Sequence, residues 1–370
     1  MKETLAKRLV ADLMDWKLER ATNEFAWLDL MVNYKFDSYQ QYGPGHRFYV
    51  HLLRWLSQYG KADRECMWKL LREQLVYISQ DEMHHLVSLT GPVIERKMRA
   101  AVAKQLGLPV YRVDDHPEAS HRLAEMQCRT LYIGVSDGAR IDVFRRYNEG
   151  TVNNEQVVAM IEISALKQVK LKEKLQERLH AIESTAPATF EWVCLIDDFT
   201  ASGTTSIRDE GNGKWGGKVQ RFIEEVGVDA PLITGDAHIQ VHHYLASKAA
   251  SINVSGLLER FQAQSSGVRF ISSFSYVLSE DIVVASATHP DLAALLERRY
   301  DPGIETTHTG SDIALGYKQC GLSLVLDHNT PNNSVATLWA RSDLKAKKYD
   351  KDNHMAPLFP RRQRHSDVRS

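Results

Sequence analysis

Residues 193–205 constrain the fold of this chain more than any other segment. Four apolar residues, Val193 to Ile196, precede the carboxylates Asp197 and Asp198, and a run of small and hydroxyl-bearing residues follows. A short, wholly apolar run is typical of a central strand that is buried on both faces. Such strands in open α/β sheets present ligand-binding groups at their carboxyl ends. The two carboxylates are therefore expected at the edge of a mostly parallel sheet.

The order of residue types in this segment predicts a site for a phosphorylated ribose. Two carboxylates accept hydrogen bonds from a vicinal diol, and their charge favours an anomeric carbon that becomes cationic as its leaving group departs. The following loop offers hydroxyl and N–H groups to a phosphate, and Gly203 permits close approach of the backbone. The residues predicted to hold the phosphate are Thr200, Ala201, Ser202, Gly203, Thr204 and Thr205.

This segment resembles the ribose-phosphate loop of the type I phosphoribosyltransferases. In that family an apolar strand, two acidic residues and a few small residues precede Thr/Ser-Gly-x-Thr/Ser. Asp197 and Asp198 match the acidic pair, whereas Phe199 and Thr200 depart from the pattern, which usually has aliphatic residues there. The resemblance implies that the two aspartates are catalytic and that Mg²⁺ arrives with the pyrophosphate of 5-phosphoribosyl pyrophosphate.

An earlier predicted strand, 129–135, is followed by a short polar loop. The residues of interest in that loop are Ser136, Asp137, Gly138 and Arg140. The first strand of the resembling family ends in a loop that holds pyrophosphate, and the resemblance implies the same role here. A Ser-Asp-Gly turn after a strand is also common without any ligand, so both interpretations stay open.

A late predicted strand, 322–326, ends in a polar loop that contains His328, Asn329 and Asn332. Amides and imidazole both donate and accept hydrogen bonds, which favours contact with a polar substrate. Asn and Pro are also ordinary turn residues. We treat His328 as a hypothetical general base or leaving-group contact.

Two segments depart from the resembling family. Residues 151–182 predict a helix where that family has a hairpin with a flexible catalytic loop, so binding is better supported than transfer chemistry. A Gly-rich insertion, 209–217, follows the phosphate loop. It is interpreted either as a mobile lid that carries Lys214 and Trp215 or as a disordered surface loop.

The periodicity of the chain predicts an α/β fold with a mostly parallel sheet of the type I phosphoribosyltransferase type and an N-terminal helical subdomain. The predicted segments are a helical region at 1–105, a phosphoribosyltransferase-like domain at 126–340 and a basic tail at 341–370. Further strands are expected at 231–237 and 281–286, with a helix at 242–248 between them. Apolar stripes such as Tyr49, Leu52 and Leu56 favour core packing, with a partner surface as the alternative.

Composition limits the function classes. With 43% hydrophobic and 25% charged residues and a net charge of −1, the chain has no overall field that recruits nucleic acid or an anionic membrane. No apolar run has the roughly 18 residues of a membrane span, and no secretory signal is evident. The four cysteines form no Cys-x-x-Cys pair. The protein is therefore predicted to be cytoplasmic, with no membrane contact and no metal held by protein ligands.

The tail has nine Lys or Arg residues against four Asp residues. It is either a solvated terminus or a contact for nucleic acid, with Lys345, Lys347, Lys348, Arg361, Arg362 and Arg364 as the basic residues. Phe359 and Pro360 indicate that part of the tail docks on the folded protein.

The landmarks at 134–138, 197–205 and 328–334, with the helical N-terminal region, resemble phosphoribosyltransferase-like effectors of bacterial conflict systems, including anti-phage and retron-type cassettes. The resemblance implies a ribosyl-transfer or nucleotide-metabolising toxin effector with protein or nucleoprotein partners. A non-catalytic nucleotide sensor and an interaction module of a defence nucleoprotein complex are the alternatives.

Overall fold

The structure is a computed structural model that describes residues 2–43, 47–226, 232–264, 267–306 and 310–362. The chain divides into two compact units. The helical unit comprises Met1–Glu82 and Glu280–Ser370, and the sheet unit comprises Met83–Ser279. The segments 1–105, 126–340 and 341–370 divide the chain differently and stay a prediction. Arg364 of the tail lies outside the described residues.

The strands are β1 (Val76–Ile78), β2 (Thr130–Gly134), β3 (Val157–Val158), β4 (Phe190–Thr200), β5 (Arg208–Gly211), β6 (Lys214–Gly216), β7 (Ile233–Ser247), β8 (Arg269–Leu278) and β9 (Leu324–Leu326). The α-helices are α1 (Glu3–Leu13), α2 (Leu18–Tyr34), α3 (Phe48–Ser57), α4 (Lys61–Lys69), α5 (Gln80–Leu106), α6 (Pro117–Cys128), α7 (Ile141–Tyr147), α8 (Ala165–Ala181), α9 (Lys218–Glu225), α10 (Lys248–Gln264), α11 (Pro290–Arg298) and α12 (Ala336–Trp339).

The sheet unit is built on a five-stranded sheet in the order β3-β2-β4-β7-β8. Each neighbouring pair in it is parallel. When these five strands are numbered by their order in the chain, their spatial order across the sheet is 2-1-3-4-5, which is a doubly wound arrangement. This sheet and the helical N-terminal region confirm the predicted α/β class.

The central position of β4 follows from its sequence. Residues 192–196 are all at most 1% exposed, as expected for a strand with both faces covered. Val193 and Leu195 share one core cluster with apolar residues of β7 and of helices α8, α9 and α10. The odd-numbered positions of β4 therefore face these three helices, since alternate residues of a strand share a face.

The helical unit packs α1–α4, α11 and α12 around a two-stranded parallel pair, β1 and β9. Its core cluster includes Tyr49, Leu52 and Leu56, so this predicted stripe packs inside the unit. Phe359 of the tail is 0% exposed and its ring lies 5.6 Å from that of Phe36. Part of the basic tail is thus docked in the core.

Three secondary-structure predictions differ from the structure. Residues 242–248, predicted to be helical, continue β7 up to Ser247, because pairing with β4 on one side and β8 on the other satisfies their backbone groups. Residues 281–286 contain a 3₁₀ turn, Glu280–Ile282, in place of a strand. The interval 151–182 holds a 3₁₀ turn, the edge strand β3 and then α8.

Among the described residues, no helix combines the length and the apolar character that a membrane crossing requires.

Candidate functional site

The candidate site lies where β2 ends and β4 continues. Gly134, the last residue of β2, pairs with Ile196, whereas β4 runs on beside β7 as far as Thr200. From β2 the chain next enters β3 on one side of the sheet, and from β4 it enters β7 on the other side. Open α/β sheets bind ligands in the crevice at such a reversal of strand order. Asp197 and Asp198 are the first residues of β4 beyond the end of β2.

Asp197 is a buried carboxylate with two side-chain partners. Its Oδ1 accepts a hydrogen bond from Ser136 Oγ, and its Oδ2 lies 2.5 Å from Lys218 Nζ. Burial raises the pKa of Asp197 to about 6; the Lys218 ammonium opposes this rise and the charge of Asp198 adds to it. Because that pKa lies below neutral pH, the ion pair with Lys218 forms at pH 7.

Asp198 points to the opposite face of the sheet from Asp197, because neighbouring residues of a strand alternate. Its carboxylate lies against the loop after β2. A Cβ added to Gly138 would stand 2.2 Å from Asp198 Oδ2. On this side the Tyr244 hydroxyl donates to the Ala139 carbonyl, and burial together with the two carboxylates raises the pKa of Tyr244. The structure thus brings the predicted loop and Asp198 together, and glycine at 138 is what permits the contact.

The predicted phosphate loop has a conformation that only glycine suits at position 203. Gly203 has a φ of +80°, and an added Cβ would lie 2.8 Å from Val254 Cγ2 of α10. The Gly203 N–H donates to Thr200 Oγ1 at 3.1 Å, and Asn253 Nδ2 donates to the Ser202 carbonyl at 2.7 Å. Contacts with α10 therefore set the shape of this loop.

The loop keeps hydrogen-bonding groups available to a ligand. Ser202 Oγ and Thr204 Oγ1 lie 3.0 Å apart, and Thr205 is exposed. Within the described parts of the chain, the N–H groups of Thr204 and Thr205 donate to no acceptor. Consecutive free N–H groups in a turn are the usual means by which a backbone binds a phosphate.

Helix α9 does not begin at the phosphate loop. The hairpin formed by β5 and β6 separates them, and the helix starts only at Lys218. The N–H of Lys218 donates to the Thr205 carbonyl at 3.1 Å, and that of Val219 donates to the Ser206 carbonyl at 3.0 Å. The first two N–H groups of α9 are therefore satisfied by the loop itself and not offered to a ligand.

The Gly-rich insertion 209–217 is this ordered hairpin. Asn212 and Gly213 both have positive φ values, 52° and 74°, as in the type I′ turns that suit two-residue hairpins. The Trp215 indole N–H donates to Gln264 Oε1 at 2.7 Å, and its ring lies edge-on to Phe261 at 5.1 Å. Trp215 thus packs on α10, and closure of this hairpin over a ligand stays a prediction.

Sequence reasoning missed Lys218 and His243. His243 is fully buried, pairs with Asp197 in the sheet register and hydrogen-bonds to Ser206 Oγ at 2.8 Å. Burial lowers the pKa of His243 to about 3, so the ring is neutral. Lys218 follows two glycines at a helix start, a signal that marks a special backbone position; His243 lies 46 residues after Asp197 and carried no signal.

The remaining predicted residues fall in two places. Asp137 is exposed and Arg140 adopts a left-handed conformation at the start of α7, both in the loop beside Asp198. His328, Asn329 and Asn332 belong to the helical unit, where His328 Nδ1 lies 3.2 Å from Asp327 Oδ1 and the Asn332 carbonyl accepts from the Tyr317 N–H at 2.7 Å. Their contact with a substrate stays a prediction. The described ranges hold no group of three or more His, Cys, Asp or Glu side chains placed to bind a metal ion.

Comparison with protein families gave one match. A family model described as PRTase-CE matches residues 52–361, which is most of the 370-residue chain. A search of curated proteins and a search of solved structures returned no match.

Proposed function

Because this chain belongs to the PRTase-CE family, a phosphoribosyltransferase-like family, we propose that it binds 5-phosphoribosyl pyrophosphate or a related nucleotide in the crevice between β2 and β4. One observation carries the proposal: Asp197, Asp198 and the loop 200–205 lie at the carboxyl edge of the sheet where the strand order reverses. This is the place where doubly wound sheets bind phosphorylated ligands.

In this proposal, different residues of the site bind the phosphate, the ribose and the pyrophosphate of the ligand. The loop 200–205 holds the 5-phosphate through the N–H groups of Thr204 and Thr205 and through hydroxyls. Asp198, which is half-buried, accepts hydrogen bonds from the ribose diol, and Asp197 adds negative charge near the ring. The loop 136–140, with Arg140, binds the pyrophosphate.

The proposed reaction is phosphoribosyl transfer. The bond between the anomeric carbon and the pyrophosphate oxygen breaks, and its electron pair leaves with pyrophosphate. A lone pair of the acceptor then forms the new bond, and the proton of the acceptor passes to water. Asp197 and Asp198 stabilise the cationic character that develops at the anomeric carbon.

Mg²⁺ fits the side chains of this site. The ion is usually held by one or two carboxylates, waters and substrate phosphates, and Asp198 would supply such a carboxylate. Asp197 pairs with Lys218. When bound, Mg²⁺ neutralises charge on the pyrophosphate leaving group.

We place this activity in the cytoplasm of a bacterium, as an effector of anti-phage defence with protein or nucleoprotein partners. The family match supports the phosphoribosyltransferase-like part, and the resemblance of the four sequence landmarks supports the defence part. Induced expression in bacteria tests it: wild type is expected to slow growth, and the variant D197N D198N is expected not to.

Isothermal titration with 5-phosphoribosyl pyrophosphate and Mg²⁺ tests the binding proposal. Wild type is expected to bind, and D197N D198N to lose binding. The matched control is D114N D115N, since Asp114 and Asp115 form the same adjacent pair but are exposed in a loop before α6. Equal binding by the wild type and D197N D198N, or no binding by folded wild type, contradicts the proposal. Release of pyrophosphate in the presence of candidate acceptors distinguishes transfer from sensing.

A further inference from the structure

The phosphate loop of the candidate site is not continued directly by a helix. A phosphorylated ribose with a pyrophosphate is polyanionic, and the site already carries the carboxylates of Asp197 and Asp198. In a continuous strand-loop-helix unit, the helix N-terminus contributes partial positive charge and free N–H groups to the phosphate. In this chain the first N–H groups of α9 donate to the carbonyls of Thr205 and Ser206. The inserted hairpin has therefore removed the usual partner of the phosphate.

Lys218 lies next to the phosphate loop, where the N-terminus of a directly connected helix would bind the phosphate. It is the first residue of α9, and its own N–H is bonded to Thr205, one of the phosphate-loop residues. Gly217, just before it, has a φ of +101°, and a Cβ there would lie 2.8 Å from the Ser206 carbonyl oxygen. These contacts hold Gly217 and Lys218, which follow the inserted hairpin, against Thr205 and Ser206, which precede it.

The Lys218 ammonium is only partly used inside the protein. Its bond to Asp197 Oδ2, at 2.5 Å, takes one of its three protons. Among the described residues no other acceptor of this ammonium is present, and its side chain is 18% exposed. Two donors are left for an oxygen that enters from the solvent side.

We propose that Lys218 is a ligand-binding residue that bridges Asp197 and a phosphoryl oxygen of the ligand, in place of the helix terminus. The proposal rests on the function proposed above and adds a named cation to it. Asp197 then has a second role, which is to hold the ammonium where the phosphate arrives. Asp198 is left as the carboxylate that faces the ribose.

Titration calorimetry with ribose 5-phosphate as the probe tests this role. Loss of a charge-assisted hydrogen bond predicts that K218M binds about 10- to 100-fold more weakly than wild type, with a shallower dependence of affinity on salt. K218R keeps the charge and is expected to recover part of the affinity. K170M, at the exposed Lys170 of α8, is the control for removal of one positive charge, and circular dichroism verifies that each variant is folded.

A merely neutralising role for Lys218 gives a different result. If Lys218 served only to balance the charge of Asp197, K218M would weaken binding in the wild-type background but not in the D197N background. A ligand contact predicts a similar loss in both backgrounds. If D197N alone binds too weakly to compare, the salt dependence decides: a ligand contact predicts a shallower salt dependence of affinity in K218M than in wild type, and equal slopes overturn the proposal.

Failure of this inference is distinguishable from failure of the proposed function. Wild type that does not bind ribose 5-phosphate or 5-phosphoribosyl pyrophosphate overturns the proposed function and this inference with it. Wild type that binds while K218M binds equally well overturns the role of Lys218 alone.

Discussion

Replacement of Gly203 by alanine tests whether contact with α10 sets the shape of the phosphate loop. Gly203 has a φ of +80°, and an added Cβ would lie 2.8 Å from Val254 Cγ2 and 3.2 Å from Asn253 Nδ2. The left-handed backbone costs an L-residue about 1–2 kcal/mol, and an extra methyl in a packed contact costs about 1–3 kcal/mol. The free energy of unfolding of G203A is therefore expected to fall by about 2–5 kcal/mol.

The matched control for G203A is G211A. Gly211 has a φ of +83°, nearly the same as Gly203, but a Cβ added there would have no heavy atom within 4 Å. G211A should therefore lose only the backbone part, about 1–2 kcal/mol. Denaturant unfolding followed by circular dichroism measures both variants. If G203A is no less stable than G211A, contact with Val254 does not constrain the loop, and the argument for a preformed phosphate site fails.

The site and the hairpin give three further predictions. In G138A the added Cβ would lie 2.2 Å from Asp198 Oδ2 and displace that carboxylate. Calorimetry should therefore show that 5-phosphoribosyl pyrophosphate binds about 10- to 100-fold more weakly. Unchanged affinity would show that Asp198 does not contact the ligand. The raised pKa of Asp197 means that the folded state binds its proton more tightly than the unfolded state, so this group's contribution to stability is largest below about pH 4 and is lost as pH rises to about 6. The rise from 3.8 to about 6, at about 1.4 kcal/mol per pKa unit, corresponds to about 3 kcal/mol. The free energy of unfolding of wild type should therefore fall by this amount relative to that of D197N between about pH 4 and pH 7. Parallel curves of stability against pH would contradict this prediction. W215A removes the partly buried ring that packs on Phe261 and should lower the free energy of unfolding by up to about 3 kcal/mol and speed proteolysis within 208–216. Cleavage at the wild-type rate would show that the hairpin does not depend on this contact.

Much of the fold was predictable because the decisive patterns are local. The apolar run before Asp197 predicts a central strand, and the structure places that strand in the middle of a parallel sheet. The wrong helix at 242–248 has a physical explanation. His242 and His243 look polar in sequence, yet both are 0% exposed, and each has a ring nitrogen hydrogen-bonded to a serine hydroxyl. These bonds, with the backbone pairing to both neighbouring strands, let β7 continue.

Only those site residues that are contiguous in the sequence were predictable. Asp197, Asp198 and the loop 200–205 are contiguous, so residue order alone indicated phosphate chemistry. Lys218 comes from beyond an inserted hairpin, and Ser136 from the loop after β2, more than fifty residues earlier. No local pattern relates these residues to Asp197, because their contacts arise from the parallel pairing of β2 with β4 and from the path of the hairpin.

The sequence by itself determined a strand that ends in two carboxylates and a glycine-containing loop, since burial of apolar residues and the conformational freedom of glycine are properties of the residues themselves. Tertiary structure decided the rest. The pleat of β4 sends the two adjacent carboxylates to opposite faces of the sheet. On one face Asp197 meets Lys218 and Ser136, and on the other Asp198 meets the backbone of Gly138. Two residues that are equivalent in sequence therefore have different partners, because the electrostatic environment of a carboxylate depends on what the fold packs against it.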